Sequence, residues 1–166
     1  MRLAVALGGL ALASCAPAGA LPADAGATFD PAAFFLGRSQ GEGSLRKLVG
    51  GTERITVESV GRRTRDGTLV LDQSIKVGAK PPSTRRWVMR QLGGGRFTGS
   101  LSDATGPVSI EVAGPRATIR YRMKNGLDVA QQLALQPGGR VVLNRLTVTK
   151  FGIRVATLDE TIRKLD

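Results

Sequence analysis

The sequence predicts an all-β protein, an antiparallel meander closed or nearly closed into a barrel of about ten strands. From Gly37 onward apolar residues recur with period two, the spacing at which a strand sends its side chains to alternate faces. Glycine is abundant, 22 in 166 residues, and turn residues interrupt the alternation throughout. No stretch shows the spacing of a long amphipathic helix. Strands joined by short connections form a meander, and closing the sheet removes its open edges. The last strand is therefore expected beside the first.

The chain opens differently. Met1 to Ala11 has one charge, Arg2, followed by Leu3, Ala4, Val5, Ala6, Leu7 and Leu10. This is a signal-peptide core, too short to cross a bilayer as a stable helix. Leu12-Ala13-Ser14-Cys15 then reads as a lipobox: an apolar residue, two small residues beside the cut, and the one cysteine of the chain as the thiol to be alkylated. Residues 1–14 are expected to be a lipoprotein signal peptide, and Cys15 to carry the membrane anchor. Ala16, where an aspartate would favour inner-membrane retention, points to the periplasmic face of the outer membrane. Residues 15–28, rich in alanine and proline, read as anchor and flexible tether, and residues 29–166 as a single β-barrel domain.

At the head of the domain, Asp30 can cap a helical turn begun by Pro31. Phe29, Phe34 and Phe35 are expected to plug one end of the barrel. A first strand lies near Gly41–Leu48, followed by Ile55 and Val57. Next, Leu69, Leu71, Gln73, Ile75 and Val77 share a face. Trp87 and Met89 follow, then Phe97 and Leu101 after the Gly93-Gly94-Gly95 turn. Val108, Ile110 and Val112 precede Ile119, Tyr121 and Met123. Asn125-Gly126 is expected to be a two-residue type I′ hairpin leading to Leu127, Val129, Gln131, Leu133 and Leu135. After Pro137-Gly138-Gly139, strands from Val141 to Thr149 and from Ile153 to Arg163 close the chain.

Composition excludes several chemistries. With no histidine and one cysteine, histidine acid–base catalysis, Cys/His metal sites and internal disulfides are ruled out. Asp159 and Glu160 do not make a catalytic pair, because adjacent strand residues face opposite ways. No catalytic residue, metal or cofactor is expected. An enzyme working with Asp, Glu, Lys, Arg or Tyr alone ranks third among the hypotheses. The net charge of +11 comes from scattered basic residues with few aromatics. This fits a solvated basic face or an anionic membrane surface better than nucleic acid, and no nucleic-acid partner is expected. Arg62-Arg63-Thr64-Arg65 reads as a solvated hairpin tip, with lipid phosphate as the sharper alternative.

The informative residues are polar ones on apolar faces. Gln73 stands between Leu71 and Ile75, and Gln131 between Val129 and Leu133, so both point inward. A buried amide without partners costs about 1–3 kcal/mol. Each must therefore join an interior network or meet a ligand. Trp87, Tyr121, Gln73 and Gln131 are expected to face one enclosed space with Leu133, and Arg145 to stand at its mouth. Whether Asn144 or Arg145 looks inward is undecided, since both faces of that strand are mixed.

The run from Leu143 to Val155, with Asn144, Arg145, Lys150, Phe151 and Gly152 as its specific part, resembles a bacterial family of envelope proteins. This is the domain of unknown function 3833 family, many of whose members are lipoproteins. The likeness continues through Phe34-Phe35-Leu36-Gly37, Gly41-Glu42-Gly43, Leu71-Asp72-Gln73, Arg86-Trp87 and Gly106-Pro107. Gln73 stands where the family pattern has an acidic residue, and Ile119 where it has a tryptophan. The resemblance implies an envelope location and no assigned activity. The fold is expected to be calycin/lipocalin-like. The leading hypothesis is a lipid-anchored periplasmic barrel that binds an apolar or amphipathic, lipid-like ligand. Its rival is an envelope interaction protein with a packed barrel and no ligand.

Overall fold

Each alternating run forms a strand. A computed structural model describes residues 19–166, so the expected signal peptide, lipobox and Cys15 lie outside the described residues. The strands are β1 (Gly37–Lys47), β2 (Gly51–Arg63), β3 (Leu69–Val77), β4 (Ser83–Gly93) and β5 (Arg96–Leu101). They continue as β6 (Ala104–Ala113), β7 (Arg116–Met123), β8 (Asp128–Leu135), β9 (Val141–Lys150) and β10 (Ile153–Lys164). Neighbours in sequence are neighbours in the sheet, and β10 returns to pair antiparallel with β1. The expected closure is therefore complete: Ser39 to Lys47 lie opposite Lys164 to Ala156 without a break. Neither β1 nor β10 is left as an open edge.

Alternation decides which residues fill the barrel. Leu69 and Leu71, Trp87 and Met89, Val108 and Ile110, Ile119 and Tyr121, Val129 and Leu133 are all buried. Slipping any of these strands by one residue would turn its apolar set to solvent, so the pattern fixes the register.

One end is plugged. The helical turn α1 (Pro31–Phe34) forms as its sequence predicts, with Asp30 accepting from the backbone N–H groups of Ala32 (2.9 Å) and Ala33 (3.2 Å). Phe29, Phe34 and Phe35 stack edge to face beneath it and are buried. Lys164 at the end of β10 donates from Nζ to the carbonyl of Phe34 (3.1 Å) and to that of Leu36, tying the plug to the wall. Gly61 makes the fit possible: a Cβ there would lie 1.7 Å from the Phe35 carbonyl oxygen.

Residues 19–28, the described part of the stretch read as a tether, lie against the outside of the barrel. Leu21 is buried, the Asp24 N–H donates to Leu135 O (2.9 Å), and Gln136 Nε2 donates to Pro22 O (2.7 Å).

One turn departs from its expected geometry, and another takes a tight form that its residues disfavour. At Asn125-Gly126 only the glycine has positive φ (79°), and Gly126 N–H donates to Met123 O (2.9 Å). Lys124 and Asn125 are thus the central pair, and Gly126 follows them as a left-handed bulge residue. The expected two-residue type I′ turn is replaced because the Met123 N–H also bonds Leu127 O, which lengthens the loop by one residue. Phe151-Gly152, by contrast, is a two-residue loop, between the paired residues Lys150 and Ile153. There φ is positive at both positions, 51° and 78°. Phenylalanine in a left-handed conformation costs about 1–2 kcal/mol relative to glycine.

Candidate functional site

Ten strands enclose more space than their inward side chains fill. A cavity of about 310 Å³ runs inside the barrel from beneath the phenylalanine plug toward the opposite end. Half-buried Leu45, Val77, Arg85 and Met123, with exposed Ser83, form its mouth. Most of the lining is aliphatic, and the polar groups within it fall into three sets.

The first set joins β2, β3 and β4. Ser59 and Gln73 are cross-strand partners, so Gln73 Nε2 donates to Ser59 Oγ (3.1 Å). Trp87 stands diagonally across on β4 and donates from its indole nitrogen to Gln73 Oε1 (2.7 Å). The second set lies on β7 and β8, where Gln131 Nε2 donates to the Tyr121 hydroxyl (3.2 Å). The two sets meet where the Trp87 and Tyr121 rings make an edge-to-face contact, 5.5 Å between centres at 89°. Burial pushes the Tyr121 hydroxyl up, against the pull of the nearby Arg85 charge. Arg85 itself faces the mouth and donates to Asp103 Oδ2 (2.6 Å).

The third set settles which residue of the mixed strand looks inward. Asn144 is buried inside the barrel and donates from Nδ2 to Glu160 Oε2 on β10 (2.9 Å). Arg145 is on the outer wall, not at the mouth as expected. It is directed to Asp159 Oδ1 (2.7 Å) and to the Gly19 carbonyl (3.1 Å). The register gives the reason: Arg145 lies opposite Asp159 and Asn144 opposite Glu160, with Val142, Leu146 and Val148 sharing the inner face with Asn144. Arg46 joins Asp159 from the neighbouring strand, so the outer carboxylate has two cations. The Asp159 carboxyl is held below its ordinary range: burial opposes this, but its hydrogen bonds to Arg145 and Arg46 prevail.

Trp87, Tyr121, Gln73, Gln131 and Leu133 all line the cavity, as the alternation requires. Of the signature run, Asn144 is inside, Arg145 outside, and Lys150-Phe151-Gly152 forms a hairpin tip at the mouth end. Sequence reasoning missed Glu160, although a signal was present: it stands between Leu158 and Ile162 as Gln73 stands between Leu71 and Ile75. Asp159 and Glu160 do face opposite ways. Burial raises the Glu160 carboxyl above its ordinary value, and the Asn144 hydrogen bond opposes this only in part. The Asn144 side-chain oxygen has no hydrogen-bond partner among the described residues. A buried acceptor and a carboxyl biased toward its protonated form therefore lie side by side, next to an apolar space.

Among the described residues no group of three or more acidic or cysteine side chains is placed to hold a metal. Arg62 and Arg86 both bind Asp72 (2.6 and 2.5 Å), so the arginine-rich turn is partly neutralised on the barrel wall.

A family model described as a protein of unknown function (DUF3833) matches residues 10–164. No curated protein matches the sequence. Among solved structures, the S-type phycobiliprotein lyase from Guillardia theta is similar, with a TM-score of 0.65 over 81% of this chain and 90% of that one. The two are 6% identical, so the likeness is one of fold: a lipocalin-like barrel.

Proposed function

The chain belongs to the DUF3833 family, and from that premise we propose that it is a ligand-binding lipoprotein of the cell envelope. In this reading Cys15 carries the lipid anchor at the periplasmic face of the outer membrane. The barrel takes an apolar or amphipathic, lipid-like ligand. The observation that carries the proposal is the cavity, apolar for most of its surface and furnished with a few buried polar groups. Its volume of about 310 Å³ lies at the low end of ligand pockets, which suits one acyl chain or a compact amphiphile rather than a two-chain phospholipid. The apolar part would lie along Trp87, Leu133 and Leu146, and a polar end that donates a hydrogen bond, such as a hydroxyl or a fatty-acid carboxyl held protonated by burial, would meet Asn144.

A specific observation favours part of the rival reading. Gln73 is satisfied at both ends of its amide by Ser59 and Trp87, so it ties strands together and needs no ligand. The ligand reading therefore rests on Asn144, Glu160 and the cavity, not on the glutamines. Native mass spectrometry of the protein purified in mild detergent tests it. A co-purified single-chain lipid, at up to one per chain, is the expected result. Protein that carries nothing and takes up neither a long-chain fatty acid nor a lysolipid would support the packed interaction barrel instead.

A further inference from the structure

The four most exposed large hydrophobic side chains among the described residues stand on two neighbouring hairpins at the mouth. They are Phe151 (90%), Val49 (86%), Leu48 (68%) and Ile153 (62%). The hairpins adjoin because β1 pairs with β10, and the Leu48 N–H extends that pairing by donating to Val155 O (2.8 Å). Phe151 is held at its tip against local preference. Among the described residues it is the one non-glycine residue with positive φ, where asparagine, aspartate or glycine would sit with less strain. With its ring almost wholly in solvent, packing among the described residues does not explain the choice.

Charge indicates what the tips meet. Lys150 and Arg154 flank Phe151 and Ile153, are exposed, and have no acidic partner within 4.0 Å among the described residues. The Lys150 ammonium lies 5.8 Å from the Phe151 ring centre. Lys80, 3.9 Å from Glu53, and Lys124, which donates to the Ser102 carbonyl (2.9 Å), add positive charge on neighbouring loops of the same end, whereas Lys150 and Arg154 are unpaired among the described residues. An apolar tip between unpaired cations suits a surface that is anionic outside and apolar just beneath.

We propose that the mouth of the barrel docks on an anionic lipid bilayer. Phe151, Ile153, Leu48 and Val49 enter the boundary between headgroups and acyl chains, while Lys150 and Arg154 bind lipid phosphates. The path of the chain agrees with this orientation. Gly19 is held on the wall by Arg145, and Cys15 precedes it by four residues, a reach of at most about 14 Å. Along β9, Arg145 is about 17 Å from Lys150 before strand tilt shortens the height. A group on Cys15 and the hairpin tips can thus reach one surface. The proposal does not depend on what the barrel encloses or on how the N-terminus is held.

Fluorescence quenching by bromine-labelled lipid tests it, with the full chain in phosphatidylglycerol vesicles and Trp87→Phe to remove the native signal. A tryptophan reporter is placed by Phe151→Trp, by Leu48→Trp, or as a control by Leu92→Trp, exposed near the end of β4 at the opposite end of the barrel. The reporters at 151 and 48 are expected to be quenched at least threefold more than the one at 92, and less so in phosphatidylcholine. Equal quenching at both ends, stronger quenching at 92, or none anywhere overturns the proposal, as does lipid-independent burial of the tips in a dimer. Adding Phe151→Asn to the Leu48→Trp chain gives a second reading. The turn should become more stable, with a higher denaturation midpoint, while quenching falls at least twofold. Unchanged quenching with a raised midpoint would also contradict the proposal.

Discussion

Asn144 and Glu160 face each other across β9 and β10 inside the barrel, and Asn144 Nδ2 donates to Glu160 Oε2 at 2.9 Å. The carboxyl is crowded as well as buried. Gly41 on the adjacent strand leaves it room, since a Cβ there would fall 1.9 Å from Glu160 Oε1. Burial raises this carboxyl above the ordinary value of 4.5, because only its charged form loses water's solvation. A raised carboxyl in the folded state favours folding at low pH, and that contribution is lost as pH rises through the folded value.

Glu160→Gln keeps the shape and the Asn144 hydrogen bond but cannot ionise. The variant should be more stable than the wild type at pH 8, by about 1 kcal/mol, and no more stable at pH 4. Chemical denaturation at the two pH values measures the difference. The outer carboxylates Asp72 and Asp159 act in the opposite sense, losing their stabilisation as pH falls, but they are the same in both proteins and cancel. A gap that does not grow with pH would show that Glu160 is not the titrating group.

Trp87 and Gln73 should be energetically coupled. Gln73→Leu leaves the buried indole N–H without its acceptor, at a cost of about 1–3 kcal/mol. In a Trp87→Phe background that donor is already gone, so the same change should cost about 1 kcal/mol less. A double-mutant cycle by urea denaturation reads the coupling. Additive losses would mean that this hydrogen bond contributes nothing.

Gly61→Ala should loosen the plugged end. The new methyl would meet the Phe35 carbonyl, a backbone atom that cannot swing aside as a side-chain end can. A loss of about 1–3 kcal/mol is expected, together with faster amide exchange in residues 29–36. An unchanged melting temperature would show that the plug does not rest on Gly61.

Arg145→Ala separates wall from interior. Removing the guanidinium breaks its contacts with Asp159 and Gly19 outside the barrel, so stability should fall by about 0.5–1 kcal/mol. Uptake of a fatty acid by the cavity should be unchanged. A large loss of uptake with the fold intact would return Arg145 to the ligand site.

Much of the fold was legible because period two is a direct record of inside and outside. Ten runs became ten strands, and the Asp30-Pro31 cap and phenylalanine plug formed as read. The same alternation brought Trp87, Tyr121, Gln73 and Gln131 to one cavity. It failed where both faces of a strand are mixed. On β9, Val141, Leu143 and Arg145 alternate with Val142, Asn144 and Leu146, and only pairing with β8 and β10 decides between them. The third polar set was hidden for the same reason: Glu160 means little until Asn144 is known to be its partner. Turn chemistry misled in one place. Asn-Gly suits a type I′ turn, but the bonding of Met123 to Leu127 selected a longer loop, whereas Phe151-Gly152 took the tight turn that its composition disfavours.

The central claim is that the barrel holds a single-chain amphiphile, and Trp87 is the natural probe because it is the one tryptophan in the chain and lines the cavity. Titrating the purified protein with bromine-labelled palmitate, below the concentration at which palmitate forms micelles, should quench its emission. The account predicts saturation at one palmitate per chain and displacement by unlabelled palmitate. Emission that stays constant, or that falls linearly without saturating, would contradict it.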